Sequence, residues 1–73
     1  MTGPSRRGHV TNNVRQLRES ARLTQAELAE RVGATRQTII AVEAEKYAPS
    51  LELAFRLARA FRMPFESVFD YRD

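Results

Sequence analysis

Apolar residues recur every three or four positions along most of the chain, which is the spacing of one helix face. They fall into five segments, so the sequence predicts five helices. The predicted inward positions are Val14, Leu17 and Ala21 in the first segment, Leu28 and Val32 in the second, Ile39 and Val42 in the third, Leu53, Ala54, Leu57, Ala58 and Phe61 in the fourth, and Phe65 and Val68 in the fifth. This pattern predicts an all-α fold.

Residues that cap free amides mark where the predicted helices begin. The predicted caps are Asn12 or Asn13, Thr24, Thr35 and Ser50 for the first four helices in that order. Thr24 with Glu27 three positions later forms a capping box, in which each side chain accepts a hydrogen bond from the other residue's amide. Pro64 is predicted to begin the fifth helix, because proline suits a first turn.

A sharp turn at Gly33 joins the second predicted helix, which begins at Gln25, to the third, which ends near Ala44. Glycine enters the left-handed backbone region at little cost, so it can end a helix where the chain reverses. Ala29 is small enough for the two helices to approach closely. Residues 25–44 are therefore predicted to form a helix-turn-helix.

The segments before the first predicted helix and after the fifth do not share the helical pattern. Residues 10–12 and 69–71 are short and compatible with extended structure, and we expect them to pair as a small two-stranded sheet. Residues 1–8 are rich in Gly, Pro, Ser and Arg without apolar periodicity, which is typical of a flexible leader. Residues 9–73 are predicted to form one domain with a dimerisation element at its C-terminal end.

Length and composition narrow the class of protein. A chain of 73 residues is near the lower size at which an apolar core folds alone, so a second copy is a plausible source of stability. The absence of cysteine excludes disulfides and thiolate zinc sites. No apolar run approaches the roughly 20 residues that span a bilayer, and the chain begins without the apolar stretch of a signal peptide. We expect a cytoplasmic protein without membrane contact.

Positive charge and hydrogen-bonding groups gather where a nucleic acid could use them. Residues 1–22 carry five arginines and one glutamate, a net charge of +4, whereas the rest of the chain sums to −1. The outward positions of the third helix are Arg36, Gln37, Ile40, Ala41 and Ala44. Arginine pairs best with guanine, glutamine with adenine, and an exposed isoleucine suits a thymine methyl group. This face predicts contact with base edges in the major groove of DNA.

Two stretches resemble a known family. LTQAELAERVGATRQTI resembles the phage-repressor and Cro-like (XRE-type) helix-turn-helix regulators, over residues 12–69. EKYAPSLELAFRLARAF followed by MPFESVF is more narrowly similar to compact regulators of the cytolysin-repressor type. The resemblance implies a five-helix homodimer with a small terminal β-sheet that represses transcription from a palindromic operator. Glu45 and Ile40 depart from the family's pattern, so the operator sequence does not carry over.

The resemblance and the outward face together give candidate roles. Predicted base-reading residues are Arg36, Gln37, Ile40 and Ala41, and predicted contacts with the DNA backbone are Thr24, Gln25, Thr35, Thr38, Lys46 and Tyr47. Arg15 is a weaker backbone candidate. The family's pattern implies that Arg18 and Glu43 form a structural ion pair between the first and third helices. The predicted dimer interface is a dense apolar cluster: Phe61, Met63, Pro64, Phe65, Phe69 and Tyr71.

Other functional classes fit less well. His9 is isolated, and the sequence has no nucleophile and base pairing, Gly-rich phosphate loop or metal-ligand cluster. The sequence therefore predicts no enzyme, no cofactor and no small-molecule substrate. The alternative is an antitoxin or adaptor whose main partner is another protein, since such a protein could share every feature described above.

Overall fold

The computed structural model describes residues 8–73, which form five helices and a two-stranded sheet. The elements are β1 (His9–Asn12), α1 (Val14–Ser20), α2 (Gln25–Val32), α3 (Arg36–Glu43), α4 (Leu51–Ala60), α5 (Phe65–Val68) and β2 (Phe69–Arg72). The predicted five-helix fold with a small terminal sheet is confirmed. The leader predicted over residues 1–8 lies outside the described residues except for Gly8.

Local hydrogen bonds begin the helices largely as predicted. The Thr24 hydroxyl accepts from the Glu27 amide at 3.0 Å, and the Glu27 carboxylate accepts from the Thr24 amide at 2.8 Å, which confirms the capping box. The Thr35 and Ser50 hydroxyls cap α3 and α4 by accepting from the Thr38 and Leu53 amides, without a reciprocal bond. The first free amide of α1 is bound by the Asn12 side chain. Pro64 lies one residue before α5 instead of in its first turn.

Four helices end in the same left-handed turn. Gly33 follows α2 with a φ of 71°, and Arg22, Glu45 and Arg62 occupy the matching positions after α1, α3 and α4 with φ values of 60°, 60° and 56°. In each turn the next amide returns to a carbonyl of the last helical turn, as the Leu23 amide does to the Arg18 carbonyl at 3.1 Å. Glycine is therefore used at one of four equivalent turns within residues 8–73.

We expect Gly33→Ala to lower the free energy of unfolding by about 1–2 kcal/mol, because alanine enters this backbone region only at a cost. A Cβ at Gly33 would meet only the tip of the flexible Arg56 side chain, so the penalty comes from the backbone. Urea denaturation measures the change. Arg62→Gly is the matched control and should leave stability unchanged or raise it; an equal loss in both variants would contradict this account.

The core lies where α1 to α5 meet. Its fully buried large side chains are Leu28, Ile39, Leu57, Val14, Val42 and Val68. Ala29, between α2 and its neighbours, is also buried, as its small size predicted. Leu17, Leu53, Phe61 and Phe65 are partly buried against this core. Ala21 was predicted to face inward, but it is exposed because α1 ends one residue earlier.

The sheet brings the first and last described segments together. β1 and β2 are antiparallel, with Val10 opposite Tyr71 and Asn12 opposite Phe69. Just beyond this ladder, the Asn13 amide donates to the Val68 carbonyl at 2.9 Å. The start of α1 is thereby fixed to the end of α5.

Candidate nucleic-acid interface

The helix-turn-helix presents one face of α3 away from the core. Ile39 and Val42 are fully buried, whereas Arg36, Gln37 and Ala44 are exposed. Ile40 and Ala41 are half-buried, so the expectation that Ile40 is exposed is met only in part. Its side chain points about 100° away from that of Ile39, and it borders a cleft that residues of α1 and α2 also line.

An ion pair holds α3 against α1. Arg18 Nε donates to Glu43 Oε2 at 2.6 Å and Arg18 Nη2 to Glu43 Oε1 at 3.2 Å. Arg18 Nη1 also donates to the Leu23 carbonyl at 2.8 Å. The two side chains are only 12% and 5% exposed. The hydrogen bond that Arg18 donates to Glu43 raises the pKa of Arg18, against the opposing effect of desolvation. The predicted partners therefore form a bidentate, largely desolvated pair.

Gln25, predicted to contact a DNA phosphate, is bound to this pair. Its Nε2 donates to Glu43 Oε1 at 3.2 Å, and the side chain is half-buried. An amide nitrogen has two hydrogens, so one N–H remains available for another acceptor. The sequence pattern gave no sign that one carboxylate serves both Arg18 and Gln25, which are separated from it by 25 and 18 residues.

A cleft of about 420 Å³ lies beside this network. It is bordered by Arg15, Arg18, Gln25, Ile40, Glu43 and Ala44, from α1, α2 and α3. Arg15 is exposed and pairs with Glu19 on its own helix at 3.2 Å. The cleft therefore has cationic and amide donors at its edge, next to the exposed face of α3.

Two of the predicted backbone-contacting hydroxyls, those of Thr24 and Thr35, already serve as helix caps. Thr35 Oγ1 accepts from the Thr38 amide at 3.1 Å and lies 3.0 Å from Thr38 Oγ1. A hydroxyl that accepts in this way still carries a hydrogen that it can donate. Lys46 and Tyr47 follow α3 and are exposed. The Lys46 ammonium, the Tyr47 hydroxyl and one hydroxyl hydrogen of the Thr35 and Thr38 pair therefore remain able to donate to an anion without breaking the helix caps.

The capping box makes the start of α2 sensitive to acid. Hydrogen bonds from Thr24 lower the pKa of Glu27 below its ordinary value of 4.5. Because folding favours the ionised carboxylate, its contribution is present above about pH 4.5 and is lost as the pH falls through the lowered pKa.

We expect Glu27→Gln to be less stable than the native chain at pH 7, with a difference that shrinks at a second, acidic pH below 4.5, where the lowered pKa of Glu27 is crossed. Urea denaturation at both pH values measures it. Glu30→Gln is the control, because Glu30 is exposed on the same helix and its side chain makes no hydrogen bond within residues 8–73. A difference that is constant with pH would argue against the capping contribution.

An exposed apolar surface lies at the other end of the domain. It comprises the exposed side chains of Leu51 (67%), Phe55 (50%), Met63 (37%) and Tyr71 (63%), together with the half-buried Phe65. The Phe55 and Phe65 ring centroids are 5.2 Å apart. Leu51, Phe65 and Tyr71 border a groove of about 460 Å³.

This apolar surface differs from the predicted dimer interface. Phe69 is only 6% exposed and belongs to the core of its own chain, because it ends the ladder beside Val68. Pro64 is exposed and Phe61 is half-buried. Leu51 and Phe55 were missed, although their spacing of four positions beside the inward stripe of α4 marks a second apolar face.

Within residues 8–73, no group of three or more His, Cys, Asp or Glu side chains is placed to hold a metal ion. The same part of the chain contains no helix with the length and apolar character needed to cross a membrane.

The chain is similar to known helix-turn-helix proteins. A helix-turn-helix family model matches residues 14–68. An uncharacterized HTH-type transcriptional regulator of Methanocaldococcus jannaschii is 47% identical over 64 residues, which cover 88% of this chain and 97% of the relative. Another from Methanothermobacter thermautotrophicus is 58% identical over 57 residues, covering 77% and 83%. In Bacillus subtilis, the uncharacterized HTH-type transcriptional regulator YgzD is 47% identical over 60 residues, covering 82% and 91%.

A solved structure shares the fold. It is a protein from Bacteroides fragilis provisionally assigned as DNA-binding, with a TM-score of 0.74 and 21% sequence identity. The match covers 84% of this chain and 98% of that one. At this identity the likeness extends to the fold alone.

Proposed function

Because this chain belongs to the helix-turn-helix family of transcriptional regulators, we propose that it is a homodimeric repressor that binds a palindromic DNA operator. The family match confirms the resemblance to XRE-type regulators, while the narrower likeness to the cytolysin-repressor type stays a prediction. The observation that carries the proposal is the exposed start of α3, where Arg36 and Gln37 face away from the core and none of the outward residues of this helix is acidic. Such a face can enter a major groove without charge repulsion.

Base reading is assigned to Arg36, Gln37, Ile40 and Ala41. Arg36 and Gln37 are exposed at the N-terminal end of α3, the end of a recognition helix that meets base edges. Ile40 and Ala41 are half-buried, so only their outer atoms are free to contact a thymine methyl group. Most of the sequence preference should therefore come from the first two residues.

Phosphate contacts are assigned to the groups around this face. On one side of the α3 face, the hydrogen-bond donors are the remaining Gln25 N–H, the free amides at the start of α2 and Arg15 at the edge of the cleft. Thr24, Thr35, Thr38, Lys46 and Tyr47 are the other proposed backbone contacts. Glu43 would repel a phosphate if it were alone, but Arg18 neutralises it at 2.6 Å. These contacts should supply most of the affinity and make it fall steeply with salt.

Dimerisation is assigned to the apolar surface. Leu51, Phe55 and Tyr71 are too exposed to serve the core of one chain, and two copies could bury them against each other across a two-fold axis. Phe61 and Pro64 lie beside it and complete the proposed interface. Such a dimer would present two α3 helices about 34 Å apart, one turn of DNA, which matches a palindromic operator. Bound there, the protein would act by occluding a promoter.

The remaining proposals follow from this role. A protein that acts on DNA and carries out no chemistry needs neither a cofactor nor a metal, and its place of action would be the cytoplasm. Residues 9–73 would form the DNA-binding domain, with residues 1–8 as its leader.

Selection of bound sequences from a random DNA pool tests the proposed function. The selection is made at near-physiological salt, so that purely electrostatic binding is suppressed. Enrichment of a two-fold symmetric motif would support a dimer that reads sequence. Enrichment of a single half-site would contradict the dimer, and no enriched motif would favour the protein-partner alternative.

A further inference from the structure

Asn12 joins the terminal sheet to the end of α3. Its side-chain Nδ2 donates to the Val42 carbonyl at 2.9 Å, and its backbone amide donates to Glu45 Oε2 at 3.2 Å. Asn12 Oδ1 also accepts from the Val14 amide at 3.0 Å. One residue of β1 thus makes two hydrogen bonds to the C-terminal end of α3 while it caps α1.

The same short segment is fixed to the other side of the domain. Asn12 lies opposite Phe69 in the sheet. Asn13 donates from its amide to the Val68 carbonyl at 2.9 Å and from Nδ2 to the Ser67 carbonyl at 3.0 Å. Two adjacent asparagines therefore connect the end of α3 with α5 and β2, the elements that carry Phe65 and Tyr71 of the apolar surface.

Glu45 reaches Asn12 because of the turn in which it lies. Its φ of 60° is a conformation that non-glycine residues adopt only at a cost. Arg22 and Arg62 occupy equivalent turns, but their side chains make no hydrogen bond within residues 8–73. Of these three residues, only Glu45 has a side chain that accepts a hydrogen bond from another element, β1.

We propose that Glu45 and Asn12 are positioning residues that set the separation of the two DNA half-sites. The inference rests on the proposed function, since it requires a dimer that reads DNA through α3. The separation of two recognition helices depends on how each α3 is held relative to the surface where the copies meet. The Asn12 and Glu45 hydrogen bonds are the polar link between these two parts.

A small change in this link has a measurable consequence. Adding one base pair between half-sites moves the second half-site by about 3.4 Å along the DNA and rotates it by about 35°. A rigidly held pair of α3 helices therefore accepts one spacing, whereas a loosened pair accepts several. Base preference within a half-site depends on Arg36 and Gln37, so it should not change with Glu45.

The experiment measures the spacing preference of the full chain on a DNA library. The library carries the half-site selected by the native protein in two inverted copies, with spacers that vary by single base pairs. We expect the native chain to prefer one spacing over its neighbours by about tenfold or more. Glu45→Ala should reduce this preference to about threefold or less, with the half-site sequence unchanged.

Three further variants make the test specific. Glu45→Gln keeps an oxygen that accepts the Asn12 amide, so it should retain the native spacing preference. Asn12→Asp keeps the acceptor for the Val14 amide, but it loses the Nδ2 donor and adds a charge near Glu45, so it should broaden the preference. Arg22→Ala alters an equivalent turn that has no link to β1 and lies outside the proposed dimer interface, so it should match the native spacing preference. Thermal unfolding of each variant shows that the samples are folded.

Two results would overturn the inference. One is a folded Glu45→Ala variant that keeps the native spacing preference, and the other is a change in half-site sequence without a change in spacing. Failure of the proposed function itself is recognised separately, because the native chain would then select no paired half-sites at all.

Discussion

Glu43→Ala is expected to lower the free energy of unfolding by about 3–5 kcal/mol, the range observed when one partner of a buried ion pair is removed. The Arg18 guanidinium would keep its charge in a site where its side chain is only 12% exposed. Gln25 would lose the acceptor of its amide as well. A domain of this length has a total stability of about 4–11 kcal/mol. Such a loss could therefore leave a large fraction of the molecules unfolded near physiological temperature.

A double variant separates the ion pair from the packing around it. Arg18→Met combined with Glu43→Leu leaves no charge unpaired, so it should lose less stability than Glu43→Ala alone. Urea denaturation of the native chain and both variants measures the difference. If Glu43→Ala stayed within about 0.5 kcal/mol of the native chain, the ion pair would not have the structural role assigned to it.

Gln37→Ala is expected to weaken binding to the selected operator by about 5- to 150-fold while leaving the affinity for random duplex unchanged. Gln37 is exposed in the first turn of α3, where it can bond to an adenine. Gln25→Ala should weaken both duplexes alike, since a phosphate contact carries no sequence information. Fluorescence titration of both duplexes at one salt concentration measures the two effects.

Gln16→Ala is the matched control for these substitutions. Gln16 is an exposed glutamine of α1 outside the proposed interface, so its loss should change neither affinity. Equal effects of Gln37→Ala and Gln25→Ala on selected and random DNA would refute the division between base reading and backbone contact.

Features set by neighbouring residues could be predicted from the sequence. The capping box joins Thr24 and Glu27 within one turn, and the end of α2 follows from the left-handed conformation that Gly33 favours. The inward stripes depend only on helical spacing, and most of their members are buried. The exposed start of α3 could also be predicted from this helical spacing. It is the part of the candidate interface that the sequence pattern predicts best.

Features that depend on distant residues could not be predicted in this way. Asn12 and Glu45 are 33 residues apart, and no local pattern indicates that a backbone amide of β1 will meet that carboxylate. The hydrogen bond of Gln25 depends likewise on how α1, α2 and α3 pack around Glu43. Phe69 was assigned to a surface because of its apolar neighbours, yet the pairing of β1 with β2 turns it into the core.

The most direct test of the account is the ratio of two affinities at about 150 mM salt: that for the selected operator and that for a scrambled duplex of the same composition. The account predicts a ratio of about 10³ or more, because base contacts add to the phosphate contacts that both duplexes share. A ratio near one, with affinity that still falls steeply with salt, would contradict sequence-specific regulation and leave only electrostatic binding.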